Sequence, residues 1–130
     1  MILLDTHIVL WLAFEPKRLS VRARDVIQRE RASNSAPAIS SITLLELAIL
    51  GRKGRFHYNA SVESFLGEVE RKFHVLPITA RACGQVLQLP PNYPRDPVDR
   101  LIGATALAEG AELVTADQAI RRSRSVPTIW

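Results

Sequence analysis

The sequence contains a single cysteine, Cys83. That excludes an intrachain disulfide and any Cys-rich zinc site. No uninterrupted apolar stretch approaches the ~20 residues that a membrane-spanning helix needs. The first apolar run, "MILL", is broken by Asp5 and lacks a basic start, so it does not read as a signal peptide. Repeats, low-complexity tracts and Gly/Ser linkers are also missing. Together these absences lead to the expectation of a cytoplasmic protein in a reducing compartment, with no membrane association.

What is present fits one domain over residues 1–130, with 47% hydrophobic and 23% charged residues. Seventeen Lys and Arg oppose thirteen Asp and Glu, for a net charge of +4. Arginines cluster at Arg18–Arg22–Arg24, Arg52–Lys53–Arg55 and Arg121–Arg122–Arg124. This balance is compatible with a polyanionic partner. It is equally compatible with solvated helix faces. Neither "RKGR" nor "RRSR" has the length or aromatic interleaving of a dedicated nucleic-acid arm.

Along the chain, short apolar runs alternate with longer amphipathic ones. "MILL", "APAIS", "HVLPI", "AELVTA" and "VPTIW" read as strands. Helices are expected in "THIVLWLAF", "SVRARDVIQRERA", "TLLELAILG", "SVESFLGEVERKF", "TARACGQVLQL", "DPVDRLIGATALAEG" and "DQAIRR". Ser20 and Thr79 are placed to cap two of them. This alternation, with nearly continuous apolar strands, predicts a three-layer α/β/α fold around a central parallel sheet.

Several acids stand where a strand hands over to a helix. Each has a structural explanation. Asp5 can cap the first helix. Thr43 and Glu46 in "TLLE" match a capping box. Asp96 before Pro97 makes a good N-cap, and Asp99 then favours the helix dipole. Asp117 can cap "QAIRR". Taken together, these explanations leave something out. In a parallel sheet the strand carboxyl ends share one edge, and the following helices begin there. Asp5, Glu46, Asp99 and Asp117 should therefore converge, at the edge where such sheets bind ligands. Asp5 is flanked by "ILL" and "IVLWL", and Glu46 and Asp99 share helix faces with apolar residues. Several close carboxylates cannot all stay ionised unaided. A hard divalent cation with oxygen ligands, Mg²⁺ or Mn²⁺, would resolve the repulsion.

The ordered set "LLDTHIVLW", "SSITLLELAI", "RDPVDRLIGATALAEGAELVTAD" and the closing Trp130 resembles PIN-domain ribonucleases, specifically the VapC-type toxins of toxin–antitoxin pairs. The resemblance implies a single PIN-like nuclease domain spanning residues 1–130. It implies Mg²⁺- or Mn²⁺-dependent cleavage of RNA, a cognate antitoxin as inhibitor, and a homodimer. It assigns the four catalytic, metal-binding acids to Asp5, Glu46, Asp99 and Asp117. Thr115 matches a hydroxyl residue beside the fourth acid. Asp96 belongs to the "RDPVDR" form, and either reaches the metal or only caps its helix. Thr6 is expected to cap the first helix, with a hydroxyl near the site as the other reading. His7 is expected to orient a neighbouring group. Arg100 and the loop around Arg95 either contact the RNA backbone or serve surface salt bridges. Metal chemistry then implies an activated water, no protein nucleophile, and products with 5′-phosphate and 3′-hydroxyl ends.

Two alternatives come from other classes. A phosphoacceptor receiver domain should carry an adjacent acidic pair after its first strand and a late lysine. Here "LLDTH" has one acid and the last lysine is Lys72. A catalytically inactive PIN-like binding module would need no acids, yet all four are present.

Overall fold

The computed structural model describes residues 1–130. The apolar runs form β1 (Ile2–Leu4), β2 (Ala38–Ser40), β3 (His74–Leu76), β4 (Glu112–Val114) and β5 (Thr128–Ile129). They make one sheet in the order β3-β2-β1-β4-β5, and every pairing is parallel. The central strand β1 is buried throughout, with Leu3 in register with Ala38 on one side and Leu113 on the other.

Seven helices connect and cover the strands: α1 (Thr6–Phe14), α2 (Val21–Ala32), α3 (Ser41–Arg52), α4 (Val62–Lys72), α5 (Ala80–Val86), α6 (Pro97–Glu109) and α7 (Gln118–Ser123). A short 3-10 turn at Pro16–Arg18 follows α1. The two faces of the sheet separate by the alternation of strand side chains. Ile2, Leu4, Ile39, Val114 and Ile129 pack with Ile8, Val9, Ile27, Phe65 and Val69 from α1, α2 and α4. Leu3, Ala38 and Leu113 pack with Ile102, Ala104 and Ala106 of α6 and Ile120 of α7. The result is the expected three-layer α/β/α arrangement.

Each helix starts on a polar side chain that accepts a backbone N–H of its first turn. The seven caps are Asp5, Ser20, Ser40, Ser61, Thr79, Asp96 and Asp117. A cap of this kind is worth about 1 kcal/mol. Two helix starts differ from the expectation. Thr6 does not cap α1: Asp5 holds that place, and Thr6 is the first helical residue. The capping box of Thr43 and Glu46 does not form either. Ser40 caps α3 by accepting the Ile42 N–H, so the helix begins before Thr43 and Glu46 falls in its second turn. At its other end α3 runs past Gly51 to Arg52, with Lys53 as its C-cap.

The strand order places β2 and β4 on opposite sides of β1. The chain leaves β1 and reaches β2 through α1 and α2, and later returns to the other side of β1 as β4. This reversal opens a crevice beyond the carboxyl ends of β1 and β4. The proline-rich loop before α6 is fixed against that helix. Tyr93 is buried, its hydroxyl donates to the Asp99 carbonyl oxygen at 3.2 Å, and the Arg100 guanidinium donates to the Tyr93 carbonyl oxygen at 3.2 Å. Gly103 makes this approach possible: a Cβ there would lie 2.1 Å from the Tyr93 hydroxyl oxygen.

Candidate metal centre

Asp5 is the residue immediately after β1, and only 4% of its surface is exposed. Both carboxylate oxygens have a hydrogen-bond donor. Oδ1 accepts the Thr6 N–H at 2.8 Å, and Oδ2 accepts the Thr115 hydroxyl at 2.8 Å. Its backbone N–H continues the sheet by donating to the Val114 carbonyl at 3.1 Å. A carboxylate held by two donors on an anchored backbone is preorganised, and each charge-assisted bond is stronger than a neutral one.

Asp5, Glu46 and Asp99 line one cleft of about 210 Å³, together with Thr6, His7, Leu10 and Leu50. Glu46 comes from the second turn of α3 and Asp99 from the first turn of α6. Burial pushes the Glu46 carboxyl up; the nearby Thr6 hydroxyl opposes this, while the charges of Asp5 and Asp96 add to it. The effect is larger at Asp99. Burial first, then the charges of Asp5, Asp96, Glu46 and Asp117, push it up to about 7. These shifts show that the acids feel one another across the cleft.

Asp117 stands beside this cleft rather than in its lining. It caps α7 by accepting the Ile120 N–H at 3.0 Å, and its charge acts on both Asp99 and His7. Asp96 is exposed and accepts the Val98 and Asp99 N–H groups on one oxygen, at 2.8 and 3.2 Å. Its structural role as a cap is thus filled, while its field still reaches Glu46 and Asp99. Thr115 is fully buried and relays the Asp117 N–H to Asp5, accepting the first at 3.1 Å and donating to the second. Thr6 meets Thr43 through their hydroxyl oxygens at 3.2 Å. Burial holds the His7 imidazole below its ordinary pKa, against the opposing pull of Asp5 and Asp117. The Arg100 guanidinium is engaged by the Tyr93 carbonyl, which leaves Arg95 as the exposed cation of this loop.

The donor set suits a hard cation. It consists of carboxylate oxygens, and no lysine or arginine forms an ion pair with Asp5, Glu46, Asp99 or Asp117. No three of the acidic or imidazole groups approach one point closely enough to ligate a single ion directly. Mg²⁺ does not require that, because it usually keeps several waters and takes one or two carboxylates directly. A second cleft of about 230 Å³ opens between α1 and α4, over Val9, Phe14, Phe65 and Val69. It is mostly apolar. Its apolar lining would suit a small molecule, but it lacks the cluster of acids that the other cleft carries.

Tyr93 and Gly103 were not singled out from the sequence as supports of the site. A glycine inside a helix costs about 1 kcal/mol relative to alanine, so Gly103 was a usable sign of a close approach.

The chain matches the family model described as "PIN domain" over residues 2–124. It is 34% identical to "Ribonuclease VapC22" of Mycobacterium tuberculosis, an alignment covering 99% of this chain and 98% of that protein. Among solved structures it resembles VapBC2 from Rickettsia felis bound to a promoter DNA fragment, with a TM-score of 0.74, 22% identity, and coverage of 99% and 98% of the two chains. It also resembles DNA-bound VapBC from Salmonella typhimurium, with a TM-score of 0.69, 24% identity, and coverage of 99% and 98%. At these identities the two structures speak for the fold.

Proposed function

The chain belongs to the PIN-domain family, and on that premise we propose that it is a metal-dependent endoribonuclease, the toxin of a toxin–antitoxin pair. The observation that carries this reading is the convergence of Asp5, Glu46 and Asp99 on one cleft with no cationic side chain to neutralise them. Asp5, Glu46, Asp99 and Asp117 would hold Mg²⁺ or Mn²⁺, with Asp96 near enough to act through its charge. When bound, the cation supplies neutralisation of phosphate charge and a water of lowered pKa. The protein's own contribution is positional. Thr115 and the Thr6 N–H orient Asp5, the Tyr93 contact seats the first turn of α6 that carries Asp99, and α3 presents Glu46 from the side. No serine or cysteine lines the cleft, and the Nε2 of its one histidine, His7, is engaged by the Ala116 N–H. Attack of water on phosphorus with the 3′ oxygen as leaving group, which takes up a proton, would leave 5′-phosphate and 3′-hydroxyl ends.

The relative named VapC22 is a ribonuclease, and the solved neighbours are VapBC assemblies. We infer an equivalent cognate antitoxin for this chain. It would cover the acid cleft, with a basic side chain standing in for the cation's charge. A homodimer would use the outer face of α3, where Leu45 and Ile49 are 54% and 45% exposed. No helix is long and apolar enough to cross a membrane, and the proposed site of action on RNA is the cytoplasm. The test is induced expression of the chain alone. Growth arrest with new 5′ RNA ends is expected, relieved by Asp5→Asn and by the co-expressed antitoxin. Arrest of equal depth with a folded Asp5→Asn protein would overturn the reading.

A further inference from the structure

We propose that His7 is a positioning residue whose imidazole fastens the first turn of α1 to the turn between β4 and α7, fixing Asp5 and Asp117 relative to each other. The inference rests on the reading of both acids as metal ligands. Three consecutive residues of that turn reach the start of α1 or support the contact. The Thr115 hydroxyl donates to Asp5 Oδ2 at 2.8 Å, the Ala116 N–H donates to His7 Nε2 at 3.0 Å, and the Asp117 N–H donates to Thr115 Oγ1 at 3.1 Å. Thr115 links the turn to a side chain that a cation would also engage. His7 links it through the Ala116 backbone, with no dependence on the carboxylate.

The accepting nitrogen defines the state of the ring. Nε2 that accepts an N–H bears no hydrogen, so the ring hydrogen sits on Nδ1, as assigned from that bond. Nδ1 lies 3.6 Å from Asp5 Oδ2. This is too long for a hydrogen bond, but close enough for the N–H dipole to face the carboxylate. The ring is held from behind. Trp11, one helical turn on, meets it edge-on with centroids 4.9 Å apart. Trp11 in turn packs against Trp130 at 5.7 Å and lies 4.1 Å beneath the Arg18 guanidinium carbon. Groups that orient ligating side chains are commonly worth about tenfold or more in metal affinity.

The test uses the full-length, ¹⁵N-labelled protein and Mn²⁺ alone. Long-range ¹H–¹⁵N spectra of the wild type are expected to show His7 protonated on Nδ1 and bare on Nε2; an Nε2-protonated ring would overturn the proposal. Calorimetry is expected to show Mn²⁺ affinity falling about tenfold in His7→Ala, with faster amide exchange at Ala116. His7→Gln, whose amide oxygen can accept the same N–H, should restore most of both. Wild-type affinity in a folded His7→Ala protein would overturn the positioning role while leaving the metal reading intact. If His7→Ala does not fold, His7→Gln decides: near-wild-type affinity supports the role, and a tenfold loss despite a protected Ala116 amide overturns it. A wild type that binds no Mn²⁺ at all would defeat the metal reading and the role with it.

Discussion

Asp99→Asn should stabilise the metal-free protein, and the gain should depend on pH in a defined direction. The Asp99 carboxyl is pushed from its ordinary 3.8 up to about 7 by burial and by the charges of Asp5, Asp96, Glu46 and Asp117. The folded state therefore holds this proton more tightly than the unfolded chain does. Below about pH 4 the group costs nothing; the penalty grows as pH rises and is complete above about pH 7. Roughly three pKa units correspond to about 4 kcal/mol as a ceiling. Asp99 is only half-buried, so solvent screening reduces this to about 1–2 kcal/mol. For a domain of this size that is a Tm increase of about 4–8 °C at pH 8. Asn is close in shape and opens no cavity. Melting both proteins in EDTA at pH 5 and pH 8, at low salt, reads the difference directly. The variant should gain clearly more at pH 8 than at pH 5, and adding Mn²⁺ should stabilise the wild type more than the variant. Equal Tm differences at the two pH values would refute the electrostatic argument, as would a variant less stable than wild type at pH 8.

Three further outcomes follow from particular contacts. Gly103→Ala places a Cβ 2.1 Å from the Tyr93 hydroxyl oxygen and 2.7 Å from its Cζ, and should cost about 1–3 kcal/mol in urea unfolding; an unchanged midpoint would show that the loop simply moves aside. Asp96→Ala removes the acceptor of two N–H groups at the start of α6 and should cost about 1 kcal/mol, while Asp96→Asn should cost little; equal losses in the two variants would point to charge rather than capping. A Leu45→Lys, Ile49→Lys double variant should scatter light as a 14.5 kDa monomer, where the wild type is expected to give twice that mass; a monomeric wild type at micromolar concentration would remove α3 as a dimer face.

The sheet was legible because its strands are buried on both faces and therefore read as continuous apolar runs between amphipathic helices. Helix starts at Ser20, Thr79, Asp96 and Asp117 were legible for a local reason: capping involves only residues two or three apart. The same locality misled at α3. "TLLE" satisfies the capping pattern, but Ser40 offers an earlier cap, and nothing in four residues indicates which start the tertiary packing favours. At α1 the adjacent Asp5 and Thr6 are both capable caps, and the structure uses the first. The acids could be expected at one edge because parallel strands share a direction. Their spacing was not accessible that way, and Asp117 lies beside the cleft that Asp5, Glu46 and Asp99 line. Contacts such as Tyr93 with Gly103, or His7 with Ala116, join segments whose meeting depends on the whole fold. The helical glycine left a trace in the sequence and His7 was expected to orient a neighbouring group, but the partner of neither could be read there.

A purified cleavage assay tests whether the acid cleft hydrolyses RNA with a divalent cation. Wild type and Asp5→Asn would be incubated with RNA in Mn²⁺ or in EDTA, and the fragment ends mapped. Asn is as good a helix cap as Asp, and Thr115 can turn its hydroxyl to accept from the new amide, so the variant should remain folded. The expected result is cleavage by the wild type in Mn²⁺ only, with 5′-phosphate ends, and none by the folded variant. Undiminished cleavage by folded Asp5→Asn, or by the wild type in EDTA, would contradict it.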